Sequence, residues 1–444
     1  MVHAHGRRRP PGPSLARLGM IVAGELPDPT YTLLPEIARR YGDVADIPVP
    51  GRTTMTLVSH PDHVDHVMTR HHSRYRKHES IRELFFDQPP PLPLLVGEEW
   101  KRTRRALNPH FGEQGLTAAG AHLTAGITER VAAWDGHAGP GRGVDLQDAL
   151  AVVVTDGLMR SMFTTALSTT ELTRFVDATR DYARFAMVRT ATYLLPGFLP
   201  RPLRRRGEAA KSYIFGALDE LIERRSSAGP QAHPDVLDVL LSMPLEYPQL
   251  RSELFDLVLA GVDTTSGALA WSVGLLFADQ QALVRARAEV DALGAMPLQF
   301  QHLGELQYLR CCFDEGQRIQ AATPANIRTA TEDDEIGGYV IPAGSHVLIS
   351  PYGLHRDARF WTEPGTFRPS RFLDDQINRN AYVPFNIGPR KCMGYRLANA
   401  AAVLTMAAIL QRYEVSLPTG WRPRHELRGA TGLAGGLPVT LSMR

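Results

Sequence analysis

Lysine is nearly absent from this 444-residue chain: Lys77, Lys101, Lys211 and Lys391 are its only occurrences, and arginine supplies the rest of the 49 basic residues. Against 47 acidic residues the formal net charge is only +2, which excludes a bulk electrostatic binder of nucleic acid. Cysteine is scarce too. Cys311 and Cys312 are adjacent, a placement that almost never bridges, and Cys392 stands alone, so no spacing suggests a disulfide framework. The absence of any C-x-x-C pair removes the usual structural zinc sites. A reducing, cytoplasmic setting is expected. No apolar run approaches the roughly 20 residues of a membrane span. The basic start Arg7-Arg8-Arg9 and the run Leu15–Gly24 resemble a signal peptide only superficially: Arg17 interrupts the run and no small-x-small cleavage site follows. Residues 1–28 therefore read as a polar, Pro-rich leader on a soluble protein, and 29–444 as a single domain. Repeats and low-complexity linkers are missing, as is any appended flavin-, nicotinamide- or iron–sulfur-binding module.

What is present is ordinary globular material, 43% apolar and 22% charged, enough for a substantial core. Residues 29–42 have a helical pattern, and 44–59 alternate as a hairpin about Pro50-Gly51. His60-Pro61-Asp62 opens a short helix. Residues 79–97 read as an irregular loop exposing Phe85, Phe86, Leu92, Leu94 and Leu95. From Glu98 to about 320 the pattern is helical, with breaks near Gly136–Gly143, Pro196–Pro202, Ser226–Pro234 and Pro244–Pro248. Tyr193–Pro200 is apolar and precedes Arg201, Arg204, Arg205 and Arg206; it reads as a helix–helix connection above a pocket rather than a membrane contact. Residues 249–278 form one long apolar helix interrupted at Gly-Val-Asp-Thr-Thr. Strands are expected around 326–350, an irregular stretch over 357–391, a helix from about Met393 to Arg412, and short strands to the end. The fold class is mainly α with a small β region.

The strongest signal is Phe385-Asn-Ile-Gly388-Pro-Arg390-Lys-Cys392-Met-Gly394. Five fixed positions within ten residues set it apart from an ordinary buried cysteine in a Gly-rich turn. A thiolate that ligates iron needs protection from protonation. A tight turn can aim backbone N–H groups at the sulfur, and a helix beginning just after it adds a partial positive charge. Arg390 places a cation beside the anionic ligand. A second constellation is Ala260-Gly261-Val-Asp263-Thr264-Thr265 inside the apolar helix. An acid–alcohol pair there is costly without a purpose. On this segment alone it reads equally as a kink with Thr hydroxyls bonded back to carbonyls.

Together these segments resemble the cytochrome P450 family, from about residue 30 to the C-terminus. The resemblance implies the cytochrome P450 fold, with haem between the oxygen-activating helix and the helix after the cysteine loop. It implies haem b, with Cys392 as the axial thiolate and metal ligand. Thr264 is then the alcohol that hydrogen-bonds dioxygen, and Asp263 the acid relaying protons for O–O cleavage. Ala260 and Gly261 are small to let the helix pass the haem, and Gly394 lets the next helix start close to it. Phe385 completes the loop. Trp100 and Arg104 match W-x-x-x-R, and with Arg328 and Arg390 they are the candidates for the haem carboxylates. Glu315 and Arg318 match E-x-x-R, and Arg371 lies in Phe367-Arg-Pro369-Ser370-Arg371-Phe372, where Ser370 replaces the usual Glu. These three imply a buried charged network. His355-Arg356-Asp357 with Trp361 fits a structural pattern.

The resemblance implies a haem-thiolate monooxygenase that hydroxylates or epoxidises an apolar small molecule of bacterial secondary metabolism, terpenoid, fatty acyl or polyketide-like. Phe85, Phe86, Phe185, Leu257, Ile327 and Leu433 are its expected pocket. With no reductase fused, a ferredoxin or flavodoxin fed by an NAD(P)H-dependent reductase is the expected partner, and a monomer the default. Two rival readings remain: a peroxide-driven haem-thiolate enzyme, and a non-catalytic haem-binding recruitment protein.

Overall fold

Alternation and β-branching in residues 44–58 produce an antiparallel hairpin: β1 (Val44–Ile47) pairs with β2 (Met55–Val58), Val44 opposite Val58 and Ile47 opposite Met55. The structure, a computed structural model, describes the chain apart from residues 1–7, 26–28, 50–54, 140–141, 193–201, 295, 374–376 and 428–429. The hairpin turn at Pro50-Gly51, the Tyr193–Pro200 segment and the first residues of the leader therefore lie outside the described residues.

The first helices are α1 (Leu15–Met20), α2 (Pro29–Tyr41), α3 (Pro61–Asp65), α4 (Gly97–Phe111) and α5 (Glu113–Ala132). Next come α6 (Leu146–Phe163), α7 (Thr169–Ala191), α8 (Arg204–Ala228), α9 (Val236–Ser242) and α10 (Tyr247–Ala278). The last are α11 (Gln280–Asp291), α12 (Gln307–Ile319), α13 (Pro351–Leu354) and α14 (Tyr395–Arg412). The remaining strands are β3 (Tyr75–Lys77), β4 (Gly143–Asp145), β5 (Asn326–Ala330), β6 (Asp334–Ile336), β7 (Tyr339–Ile341) and β8 (His346–Ile349), then β9 (Tyr413–Ser416), β10 (His425–Leu427), β11 (Thr431–Leu433) and β12 (Pro438–Met443). The molecule is thus predominantly helical with small sheets. No helix among the described residues is long and apolar enough to cross a membrane.

The chain divides into two compact units, each assembled from three segments. The first comprises Met1–Glu79, Arg318–Thr366 and Asp374–Cys392. Its frame is a five-stranded sheet of order β1-β2-β8-β5-β3, antiparallel except where β2 runs parallel to β8. Ile37 from α2 packs on Ala45, Ile47, Leu57 and Leu348, and Ile327 of β5 is half-buried against the same cluster. Ile21 is fully buried there as well, so part of the stretch read as a leader contributes to this core.

The second unit comprises Ser80–Gln317, Phe367–Leu373 and Met393–Arg444. Helices α5, α6, α10 and α14 pack on one another, and β12 joins β4 to β9 in a small sheet. Helix starts carry the expected side-chain caps: Ser168 and Glu171 form a reciprocal capping box at α7, and Asp279 accepts from Ala282 N at 2.9 Å to open α11.

Two expectations are corrected. First, α10 runs for 32 residues without a break at Gly261–Thr265. Thr264 Oγ1 donates back to Ala260 O at 2.6 Å, so the hydroxyl is accommodated inside the helix rather than breaking it. Second, the apolar side chains expected to be exposed in residues 79–97 are covered, wholly or in part. Phe85, Leu92 and Leu95 are buried. Phe85 packs edge-on against Phe255 of α10, and Leu92 N donates to Glu253 of the same helix at 2.9 Å. The loop is held by a partner roughly 160 residues further along the chain.

Candidate active site

In the first unit the segment before α14 winds tightly. Asn386 and Gly388 both take positive φ, 60° and 71°. A Cβ on Gly388 would stand 2.1 Å from Met68 O, so only glycine fits. Lys391 N donates to Gly388 O at 3.0 Å, and Cys392 N to Phe385 O at 2.9 Å. This turn delivers Cys392 exposed at its end. Cys311 and Cys312 are buried in α12, where burial pushes the Cys311 thiol up to about 11 and that of Cys312 well above its ordinary value. Cys392 is therefore the only cysteine placed to offer its sulfur to something other than protein. Gly388→Ala is expected to destabilise the fold by about 2 kcal/mol, from left-handed backbone strain plus displacement of the Met68 carbonyl. Thermal unfolding checks it, and an unchanged midpoint would contradict the geometry.

Arg328 lies beside this turn on β5, 4% exposed. Its Nη1 donates to the neighbouring Ile327 O at 3.1 Å. Burial, and then the nearby Arg390 guanidinium, push its pKa down to about 10. Among the described residues no carboxylate pairs with Arg328. A buried guanidinium facing a like charge requires an anion to be stable, and the carboxylates of a haem are of that chemistry.

The second unit holds the acid–alcohol pair. Most of α10 is buried, but Leu257, Gly261 and Thr264 are only half-covered and Ala260 is exposed. Their spacing of three, four and seven residues makes one stripe along the helix. Asp263 sits beside it and accepts from Ala430 N at 3.1 Å. Gly261 is answered partly by packing, since a Cβ there would lie 2.9 Å from Leu158 of α6. Gly394, at the N-terminus of α14, has ordinary φ, and nothing described lies within 4 Å of where its Cβ would be. Packing among the described residues therefore does not require a glycine there. Trp100 and Arg104 are half-buried, one turn apart on α4. The donor set and the bare stripe both fit haem.

Of the residues expected to line a pocket, Phe85, Phe185 and Leu433 are buried, while Phe86, Leu257 and Ile327 are half-buried. Phe86 meets Phe185 edge-on at 5.8 Å, and Tyr182, Phe215 and Phe255 continue the aromatic cluster. Leu433 N donates to Gln147 of α6 at 2.7 Å. The charged residues are split between the units. Glu315, fully buried, accepts from Arg371 Nε at 3.0 Å and from Arg368 N at 2.8 Å. Arg318, also fully buried, donates to the carbonyls of His355, Pro364 and Thr366 at 2.9, 2.8 and 3.2 Å. Ser370 is exposed, so its replacement of Glu leaves the Glu315–Arg371 pair intact. His355 Nε2 accepts from Val383 N at 2.8 Å, tying the segment before the cysteine turn to the one after β8.

Sequence reading missed Glu253. Burial pushes its pKa up to about 7, against the lowering effect of hydrogen bonds from Leu92 N and Gln249. Its signal was legible: with Asp256, it is a carboxylate on the buried face of an apolar helix.

A family model for cytochrome P450 matches residues 10–435. Cyclooctat-9-en-7-ol 5-monooxygenase of Streptomyces melanosporofaciens is 28% identical over 400 residues, covering 84% of this chain and 83% of that protein. Cytochrome P450 76M5 of Oryza sativa is 28% identical over 438 residues, covering 93% and 86%. The chloroplastic carotene epsilon-monooxygenase of Arabidopsis thaliana is 28% identical over 431 residues, covering 89% and 78%. With its family model spanning nearly the whole chain, this protein belongs to the cytochrome P450 family, and is a monooxygenase of that family, whose haem is held by a cysteine thiolate.

Proposed function

We propose that Cys392 is the thiolate ligand, and that the protein oxygenates an apolar small molecule of terpenoid type. The observation that carries the assignment is the exposed Cys392 sulfur, at the end of a turn that tolerates only glycine at 388, set against two cysteines buried in α12. Haem, when bound, supplies the redox chemistry by which dioxygen is activated and one oxygen atom enters the substrate. Arg328 and Arg390 hold its carboxylates, with Trp100 and Arg104 contributing from α4. Phe385 and Gly394 frame the sulfur, and Ala260 and Gly261 keep the α10 stripe low. Glu315, Arg318 and Arg371 are positioning residues.

Thr264 and Asp263 manage protons. Because the Thr264 hydroxyl hydrogen is committed to Ala260 O, its oxygen presents lone pairs outward and accepts a hydrogen bond. Asp263, steadied by Ala430 N, can take up and release a proton beside it. Thr264→Ala is expected to lower product formation by roughly 10²-fold while reductant is still consumed, and Thr264→Ser to retain most of it. Product formed per NAD(P)H oxidised is the measurement; equal coupling in Thr264→Ala and wild type would remove Thr264 from the proton path.

Leu257, Phe86 and the aromatic cluster of the second unit make the substrate side apolar, with Phe85, Phe185 and Leu433 buried behind them. Two relatives carry an alkenol and a carotene in their names, which supports a terpenoid-like substrate. Electrons come from a separate ferredoxin or flavodoxin with its NAD(P)H-dependent reductase, in the cytoplasm, and the enzyme works as a monomer in secondary metabolism. The experiment is turnover of a terpenoid panel under ¹⁸O₂ with a ferredoxin and its reductase. One labelled oxygen per product, dependent on reductant, is expected. Oxidation with hydrogen peroxide alone would favour the peroxide-driven reading.

A further inference from the structure

A single π-turn, His66–Arg70, follows α3 in the first unit. Its defining bond runs from His71 N to His66 O at 2.8 Å, so residues five apart are brought one above the other. The imidazoles of His66 and His71 stack, with centroids 4.1 Å apart and planes 23° apart. Asp334, at the start of β6, reaches the same point: His66 Nε2 stands 2.8 Å from its Oδ2. One ligand atom from each of His66, His71 and Asp334 lies within 4.8 Å of the others, and all three side chains are half-buried. Tyr75 OH donates to Asp334 Oδ2 at 2.7 Å and Glu335 N to Oδ1 at 2.8 Å. Arg74 approaches Oδ1 at 3.4 Å but is drawn more closely to Glu332, at 2.6 Å.

We propose that His66, His71 and Asp334 form a second metal site, for a divalent ion of the zinc type, separate from the haem iron. Two imidazoles and one carboxylate are the donor set that zinc takes at three protein ligands, with water completing the tetrahedron. Calcium and magnesium, which want oxygen, are not served by it. On binding, one of the stacked rings turns so that the ion lies in the plane of both imidazoles, the Nε2–H that His66 donates to Asp334 leaves to solvent while Nδ1 takes up a proton in its place, and Nε2 binds the metal with no change of oxidation state. Tyr75 and Glu335 N continue to orient the carboxylate from behind. The site has a place in the fold that gives it consequence. Met68, inside the same π-turn, carries the carbonyl against which Gly388 is packed. An ion at His66 and His71 therefore ties the turn that supports the cysteine segment to the β6 end of the unit.

The test uses the full-length haem-loaded protein, stripped with a chelator, dialysed, and titrated calorimetrically with zinc sulfate. One saturable Zn²⁺ per chain is expected, raising the thermal midpoint. His71→Ala and Asp334→Asn are each expected to weaken binding at least about tenfold, about 1.4 kcal/mol, and to lose the thermal shift. The chain also carries His3 and His5 near its start, so a His3→Ala/His5→Ala variant is the control, expected to bind as the wild type does. The metal-free midpoints of the variants show whether they fold. Should His71→Ala be unstable, His71→Gln keeps the volume and replaces it. No saturable binding by the wild type, undiminished binding by both site variants, or loss confined to the His3/His5 variant would each overturn the proposal.

Discussion

Cys392→Ser is expected to fold normally and to lose monooxygenase turnover by at least about 10³-fold, about 4 kcal/mol of transition-state stabilisation. The two halves of that expectation have different causes. Cys392 is exposed at the end of its turn, and what holds the turn is backbone: the bonds from Cys392 N to Phe385 O and from Lys391 N to Gly388 O. A hydroxyl in place of the thiol disturbs neither, so unfolding free energy stays within about 0.5 kcal/mol. The chemistry is another matter. A serine hydroxyl is not ionised near neutral pH and is a hard donor, so it supplies neither the charge nor the polarizable sulfur that a haem-thiolate centre depends on. Far-UV circular dichroism, chemical denaturation and product formation measured on one preparation separate the effects. Retained turnover in a folded Cys392→Ser protein would remove the residue from the site.

Arg371→Ala has the largest expected effect on stability, about 3–5 kcal/mol. The Glu315 carboxylate is fully buried, and Arg371 Nε at 3.0 Å is a cationic contact to its Oε1. Taking that guanidinium away removes compensation from a buried negative charge, which is costly in a low-dielectric interior. Arg368 provides the control. It reaches the same oxygen through its backbone N–H, which Arg368→Ala keeps, so that variant should cost less than about 1 kcal/mol. Urea midpoints of the two variants decide the matter, and similar midpoints would mean that the Glu315–Arg371 pair is not what holds this segment.

Much of this molecule was legible before any coordinates, for a physical reason. The hairpin at 44–58, the strands within 326–349 and the helix up to Arg412 are set by alternation, β-branching and Gly/Pro punctuation, which act over a few residues. The cysteine turn was legible because most of its constraint is equally local: Asn386 and Gly388 take positive φ and Cys392 N bonds back to Phe385 O, while the Met68 carbonyl against Gly388 is the part that is not. What escaped reading depends on distant partners. Phe85 and Leu92 look like exposed loop residues, because their partners Phe255 and Glu253 on α10 lie far along the chain. The break at Thr164–Ser168 went unnoticed because Thr164 takes the left-handed conformation without a glycine to mark it. At Thr264 the local evidence was balanced: the structure shows the back-bond to Ala260, and the proposed catalytic use of the same oxygen is compatible with it. The division into two units, each drawn from three segments, leaves no composition shift to find.

The central claim is that this chain holds a haem iron through the Cys392 thiolate. The most direct measurement is the absorption difference spectrum of the purified, reduced protein with and without carbon monoxide. A strongly red-shifted Soret band, absent from Cys392→Ser, is the expected result. A band at the shorter wavelength of a neutral axial ligand, or no haem spectrum in protein produced with haem supplied, would contradict it.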